Sequence, residues 1–294
     1  MTERDIDQTS GIETTGHEWD GIKELNNPLP RWWLWTFYAT ILFSVGYVIY
    51  YPAIPLIETA TSGISGQTNR GDLRIEMAAA QSAKAELLTQ IAEKDLEAIR
   101  ADDTLSRFAV AGGASAYKVY CSQCHGSGAQ GGPGFPNLND DDWLWGGDLE
   151  AIYTSIRHGI RNTEDDDARE SQMPAFGADE ILERDDINSV TQYVLQVSGQ
   201  EFDSTLASAG KEIFVENCAA CHGENAAGDR SIGAPNLADA ISLYGNTEET
   251  ITTQIIQPQH GVMPPWQQRL SDETIKQLAV YVHSLGGGEK AASE

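Results

Sequence analysis

The longest break in the mixed polar and apolar patterning is the run from Trp32 to Tyr51, twenty residues without a charge. As a helix rising 1.5 Å per residue it spans about 30 Å, the thickness of a bilayer core. Trp32, Trp33 and Trp35 gather at one end and Tyr47, Tyr50 and Tyr51 at the other, the aromatic arrangement of a spanning helix. Pro52 and Pro55 end it. A cleaved leader does not fit, because thirty-one largely polar residues precede the run. Residues 57–70, rich in Gly, Ser and Thr, read as a flexible exit. From Asp72 to Ala101, Ile75, Met77, Leu87, Leu88, Ile91 and Leu96 recur at loosely helical spacing, which predicts a helical spacer or a docking surface.

Beyond residue 107 the pattern occurs twice. A helix is predicted at 114–119 and again at 207–215, then a Gly-rich loop ending in Pro136-Asn137-Leu138 and in Pro235-Asn236-Leu237. Helical stretches follow at 148–158 and 247–256, then a Met-Pro pair at Met173-Pro174 and at Met263-Pro264. A closing amphipathic helix ends each copy, 185–197 with the stripe Val190, Tyr193, Val194 and Val197, and 271–285 with Ile275, Leu278, Ala279 and Val282. Strand alternation is nearly absent, so both copies are predicted to be all-α.

The chemistry lies where each opening helix ends. Cys121-Ser122-Gln123-Cys124-His125 recurs 97 positions later as Cys218-Ala219-Ala220-Cys221-His222, and the two pentads use every cysteine in the chain. Chance would place such a pentad roughly 0.001 times in a sequence of this composition. Two thiols three positions apart can add across the two vinyl groups of one porphyrin, and the adjacent histidine then falls under the iron. Zinc or a disulfide would leave the histidine after each pair unexplained. The prediction is two covalently bound haem c groups, held by Cys121, Cys124, Cys218 and Cys221, with His125 and His222 as proximal ligands.

Each iron needs a sixth ligand if it is to shuttle electrons. A thioether favours Fe(II) and raises the potential. Met173 and Met263 stand at matching places, 48 residues after His125 and 41 after His222, which makes them the expected axial ligands. His158 and His260, each shortly before its methionine, are the competitors. Trp143 and Trp145 could line a docking face or pack a haem crevice, the acidic run 164–167 could attract a basic donor, and Arg157 and Arg161 could pair with propionates. No nucleophile and base pairing or phosphate loop is evident.

Forty-four acidic against nineteen basic residues give a net charge of -25, which argues against nucleic acid and for solubility or a basic partner. Haem attachment to Cys-x-x-Cys-His occurs outside the bacterial cytoplasmic membrane. Lys23 and Arg31 precede the apolar run and 52–69 carry no Lys or Arg, so the positive-inside rule places the haem domains on the same, periplasmic side.

Two pentads alone suit many dihaem cytochromes. The segment from Gly16-His17-Glu18-Trp19-Asp20-Gly21 through Asn26-Asn27-Pro28-Leu29-Pro30-Arg31-Trp32-Trp33 is more specific. It resembles the amino-terminal signature of the dihaem subunit, subunit III, of cbb3-type cytochrome c oxidases. Asn137 to Gly147 and Ile156-Arg157-His158-Gly159-Ile160-Arg161 resemble the same family. The resemblance implies a proton-pumping terminal oxidase. In it, this chain passes electrons from cytochrome c toward a monohaem subunit and a catalytic subunit holding haem b and copper, which reduces oxygen to water. It also implies methionine-ligated haems, hence Met173 and Met263.

The expected architecture is all-α: one N-terminal transmembrane helix followed by two tandem class I cytochrome c domains. The boundaries are a cytoplasmic segment 1–31, the membrane helix 32–51, a periplasmic linker 52–106, haem domains 107–200 and 201–288, and a tail 289–294. A dihaem peroxidase with an open sixth position, or the cytochrome subunit of a membrane dehydrogenase, are the other readings of the same motifs.

Overall fold

A computed structural model describes residues 5–290, so the first four residues and positions 291–294 of the predicted tail lie outside the described residues. The chain divides into two compact units, with the boundary between residues 83 and 84.

The first unit opens with a hairpin that periodicity does not signal. β1 (Thr14–Trp19) pairs antiparallel with β2 (Ile22–Leu25), in register Glu18 with Lys23 and Trp19 with Ile22. Asp20 and Gly21 both take positive φ, +48° and +83°, the geometry of a tight hairpin turn that the Asp-Gly pair favours. α1 (Arg31–Tyr50) follows, with no buried residue and an apolar surface long enough to cross a membrane. The exit segment does more than space the chain. The amides of Ile64 and Ser65 donate to the carbonyls of Ile49 and Tyr50 at 3.1 and 2.9 Å, satisfying acceptors at the helix end that would otherwise lack partners. Gly63 makes that return possible, because a Cβ there would strike the backbone of Tyr50 and Tyr51.

α2 (Asn69–Glu93) leaves Leu73, Ile75 and Met77 exposed near its start, whereas Ile91 near its end is fully buried in the second unit. That unit continues with α3 (Leu96–Ala101), α4 (Asp103–Tyr120), α5 (Ser122–His125), α6 (Leu149–His158) and α7 (Arg184–Val197). It ends with α8 (Ser204–Asn217), α9 (Ala219–His222), α10 (Glu248–Ile256) and α11 (Asp272–His283). Asp95, Asp102, Asp148, Asp203 and Thr247 each accept a backbone N–H from the first turn that follows. Such caps set helix starts and contribute about 1 kcal/mol each.

The two sequence repeats do not coincide with the two cores. α7, which closes the first repeat, packs on α8, which opens the second, and α11 packs on α4. The six residues between α7 and α8 explain this, since so short a connection makes an antiparallel helix hairpin. With α8 taken, the opening helix α4 receives α11. One core therefore joins Leu105, Ala109, Tyr117, Ile152 and Ile156 to Ile275, Leu278 and Val282. The other joins Phe176, Ile187, Val190, Tyr193 and Val194 to Phe214 and Ile255. Gly113 and Gly210, each eight residues before its first cysteine, sit where the paired helices touch. A Cβ on Gly113 would meet the Gln277 carbonyl, and one on Gly210 the Ser189 carbonyl.

Within this unit Lys276 holds the last turn of α2. Its ammonium donates to the carbonyls of Ile91, Ala92 and Lys94 at 3.2, 2.9 and 3.0 Å, placing a cation at the negative end of α2. Lys276→Met keeps the stem but not the charge. It is expected to cost about 1.5–3 kcal/mol, the worth of hydrogen bonds to a charged group, measured by denaturant unfolding. An unchanged midpoint would mean the cation contributes nothing.

Candidate haem sites

The two pentads adopt one geometry twice. Cys121 terminates α4 and Cys218 terminates α8, their amides donating to Tyr117 and Phe214. A single turn then carries the second cysteine and the histidine. The loops that follow match bond for bond. Gly131 donates to the His125 carbonyl and Gly228 to that of His222, both at 2.8 Å; Leu138 donates to Ala129 and Leu237 to Ala226 at 2.8 and 2.7 Å. Ala129 and Ala226 are both fully buried and both at positive φ, +61° and +58°.

These loops orient the imidazoles. His125 Nδ1 lies 3.0 Å from the Pro136 carbonyl and His222 Nδ1 3.0 Å from the Pro235 carbonyl. A carbonyl only accepts, so Nδ1 carries the proton and Nε2 keeps its lone pair for a metal. Burial holds both histidines below the usual imidazole range, which keeps them neutral and able to ligate. Burial, with a neighbouring cysteine, pushes the Cys121 and Cys218 thiols up to about 11, so both are protonated at neutral pH. Cys124 and Cys221 are exposed. The donor set fits an iron porphyrin linked by two thioethers on one side.

The methionines lie across the repeat boundary. Met263 packs with Cys121 against the core of α4 and α11, and its backbone exchanges two 3.0 Å hydrogen bonds with Ile160. Met173 packs with Cys218 against the core of α7 and α8. Matching positions along the chain pair each methionine with the pentad of its own repeat; in the fold it packs against the core that receives the first cysteine of the other, for the reason that exchanges the helices.

The competing histidines are held by protein partners. His260 Nε2 accepts the Met173 amide at 3.1 Å, and His158 Nδ1 faces Asp165 at 3.2 Å. The acidic run is partly tied down: Asp165 also bonds Gln267, and Glu164 faces Arg269 at 3.7 Å. Arg157 is occupied by Gln267, Tyr153 and Asp272. Trp143 Nε1 donates to the Gly287 carbonyl at 2.8 Å, so the segment before the tail straps the tryptophan loop. Both Pro-Asn-Leu triplets stand out in the sequence, but the role of their proline carbonyls appears only in the folded loop.

The family described as "Cytochrome C oxidase, cbb3-type, subunit III" matches residues 108–194 and 205–282. The chain belongs to this family. The "N-terminal domain of cytochrome oxidase-cbb3, FixP" matches residues 11–58, taking in the hairpin and α1. The cbb3-type cytochrome c oxidase subunit FixPc of Rhizobium leguminosarum bv. viciae is 55% identical, covering 98% of this chain and 100% of the relative. Subunit CcoP of Cereibacter sphaeroides is 54% identical over 94% of this chain and 95% of its own length. Subunit CcoP of Azospirillum brasilense is 47% identical over 98% of this chain and 100% of its own. This cbb3-type subunit III is thus an electron-transfer cytochrome of a membrane-bound oxidase, and its cofactors are two haem c groups.

Proposed function

We propose that Cys121 and Cys124 hold one haem, with His125 and Met263 as its axial ligands, and that Cys218 and Cys221 hold the other, with His222 and Met173. The observation that carries this reading is the pair of fixed imidazole tautomers, together with the packing of each repeat's first cysteine against the core that also receives a methionine from the other repeat. The haem iron supplies one-electron chemistry. The chain's part is to keep each imidazole neutral and oriented, to present a soft sulfur that favours Fe(II), and to keep water from the ligands with apolar walls.

In this proposal α1 spans the inner membrane and the haem unit stands in the periplasm, consistent with Lys23 before the helix, Arg31 at its first position and no Lys or Arg in 52–69. Electrons enter from a cytochrome c, which a chain of net charge -25 would attract if the donor is basic, and leave through a monohaem subunit toward a catalytic subunit with haem b and copper. Purifying the complex in mild detergent by a tag on this chain tests the assignment. Haem c together with haem b, copper and oxygen consumption is the expected result; haem c with a flavin or quinone cofactor, or peroxide turnover by this chain alone, would overturn it.

A further inference from the structure

We propose that Arg169 and Trp145 form the seat for a propionate of the haem held by Cys121 and Cys124. The proposal rests on the haem attachment given above. Its starting point is two buried donors without partners: Trp145 Nε1 and Arg169 Nε are both shut off from solvent and make no hydrogen bond. They are neighbours, with the guanidinium lying over the indole ring, 5.1 Å from its centroid. Leaving such donors unpaired costs about 1–3 kcal/mol each, more for a charged group, so the pair calls for an acceptor and preferably an anion.

The protein supplies no such anion. Arg169 Nη2 donates only to the Ala151 carbonyl, at 3.1 Å, and no carboxylate lies within ion-pair distance of Arg169 among the described residues. Arg157, by contrast, is already spent on Asp272 and Gln267.

Position selects the haem. The Arg169 amide donates to the Gly159 carbonyl at 3.1 Å and its carbonyl accepts from Arg161, so its backbone lies beside Ile160, which is paired with Met263. Ala151 belongs to α6, whose Ile152 and Ile156 line the core that receives Cys121 and Met263. On its other side the indole rests where Gly233, in the loop after the second pentad, has no side chain. A carboxylate there would accept from Nε1 and Nε and neutralise the guanidinium, a charge-assisted pairing.

A cation beside a propionate favours the reduced iron, so its removal should lower that haem's midpoint potential. The experiment is a spectroelectrochemical titration of the purified complex carrying Arg169→Gln, Arg169→Lys or Trp145→Phe. Waves are assigned to their haems by Met263→Leu and Met173→Leu proteins. Arg169→Gln should shift the reduction equilibrium of the Met263-ligated haem about tenfold toward Fe(III), which is about 59 mV for one electron, with a smaller shift at the other haem. Trp145→Phe should move the same wave the same way but less, and Arg169→Lys should restore most of it.

Unchanged potentials in Arg169→Gln, with both haems bound, would overturn the proposal, as would a larger shift at the Met173-ligated haem. If Arg169→Gln fails to load haem, Trp145→Phe decides, and an unmoved wave there overturns the proposal. A wild-type chain without two covalent haems by pyridine haemochrome would instead refute the underlying attachment.

Discussion

Met263→Leu is expected to abolish the long-wavelength sulfur-to-iron band of the haem bound through Cys121 and Cys124, while the haem bound through Cys218 and Cys221 keeps its own. The potential of the affected haem should fall on the order of 0.1–0.3 V, within the roughly 0.8 V that axial ligands span. Losing a thioether removes the donor that favours Fe(II) and leaves a histidine-only iron. Leucine is close to methionine in volume and packs in the same apolar wall, so global stability should change by less than about 1.5 kcal/mol. Magnetic circular dichroism of the two single variants, Met263→Leu and Met173→Leu, reads each haem separately. Loss of the band from the Cys218 haem in Met263→Leu would mean that each methionine serves its own repeat, and the placement of Met263 and Cys121 against one core would then be packing without ligation.

Gly113→Ala and Gly210→Ala should each destabilise the haem unit, although helix propensity alone predicts a gain near 1 kcal/mol in the interior of α4 or α8. The added methyl at 113 meets the backbone of α11 at Gln277, and at 210 the backbone of α7 at Ser189. Backbone cannot rotate away as a side chain can, so the helices must separate. Overpacking of that kind costs about 1–3 kcal/mol or more, which outweighs the propensity gain. For a unit of this size the net loss corresponds to roughly 2–4 °C in Tm per kcal/mol, read by calorimetry of the haem-loaded protein. A raised Tm in either variant would mean that the helices do not approach as closely as the glycines imply. The same substitutions test the crossed architecture, because each damages a contact between the two repeats.

Much of this was legible in the chain. The twenty uncharged residues from Trp32 to Tyr51 correspond to α1, and the closing stripes Val190, Tyr193, Val194 and Ile275, Leu278, Ala279, Val282 are buried along α7 and α11. Apolar periodicity is a local property, and one face of a helix must be buried wherever the helix goes. The pentads were legible for a related reason: attachment needs two thiols and an imidazole at fixed short spacing, which is a local constraint. The hairpin at Thr14–Leu25 carries no periodic signal, because its strands are exposed apart from Thr14 and do not alternate, so only the Asp-Gly turn marks it.

What neighbours do not share along the chain could not be read from it. Both Met-Pro pairs stand at matching places in their repeats, so sequence distance favours pairing within a repeat. Tertiary packing favours the exchange, because the short link after α7 places α8 against it and leaves α4 to α11. Likewise, the Pro136 and Pro235 carbonyls orient histidines eleven and thirteen residues away, and Arg169 meets Trp145 across a loop. By itself the sequence determined the composition of each element and the chemistry of each pentad, since both follow from local order. Which elements share a core was decided by the tertiary structure, through loop length and the close approach that two glycines permit.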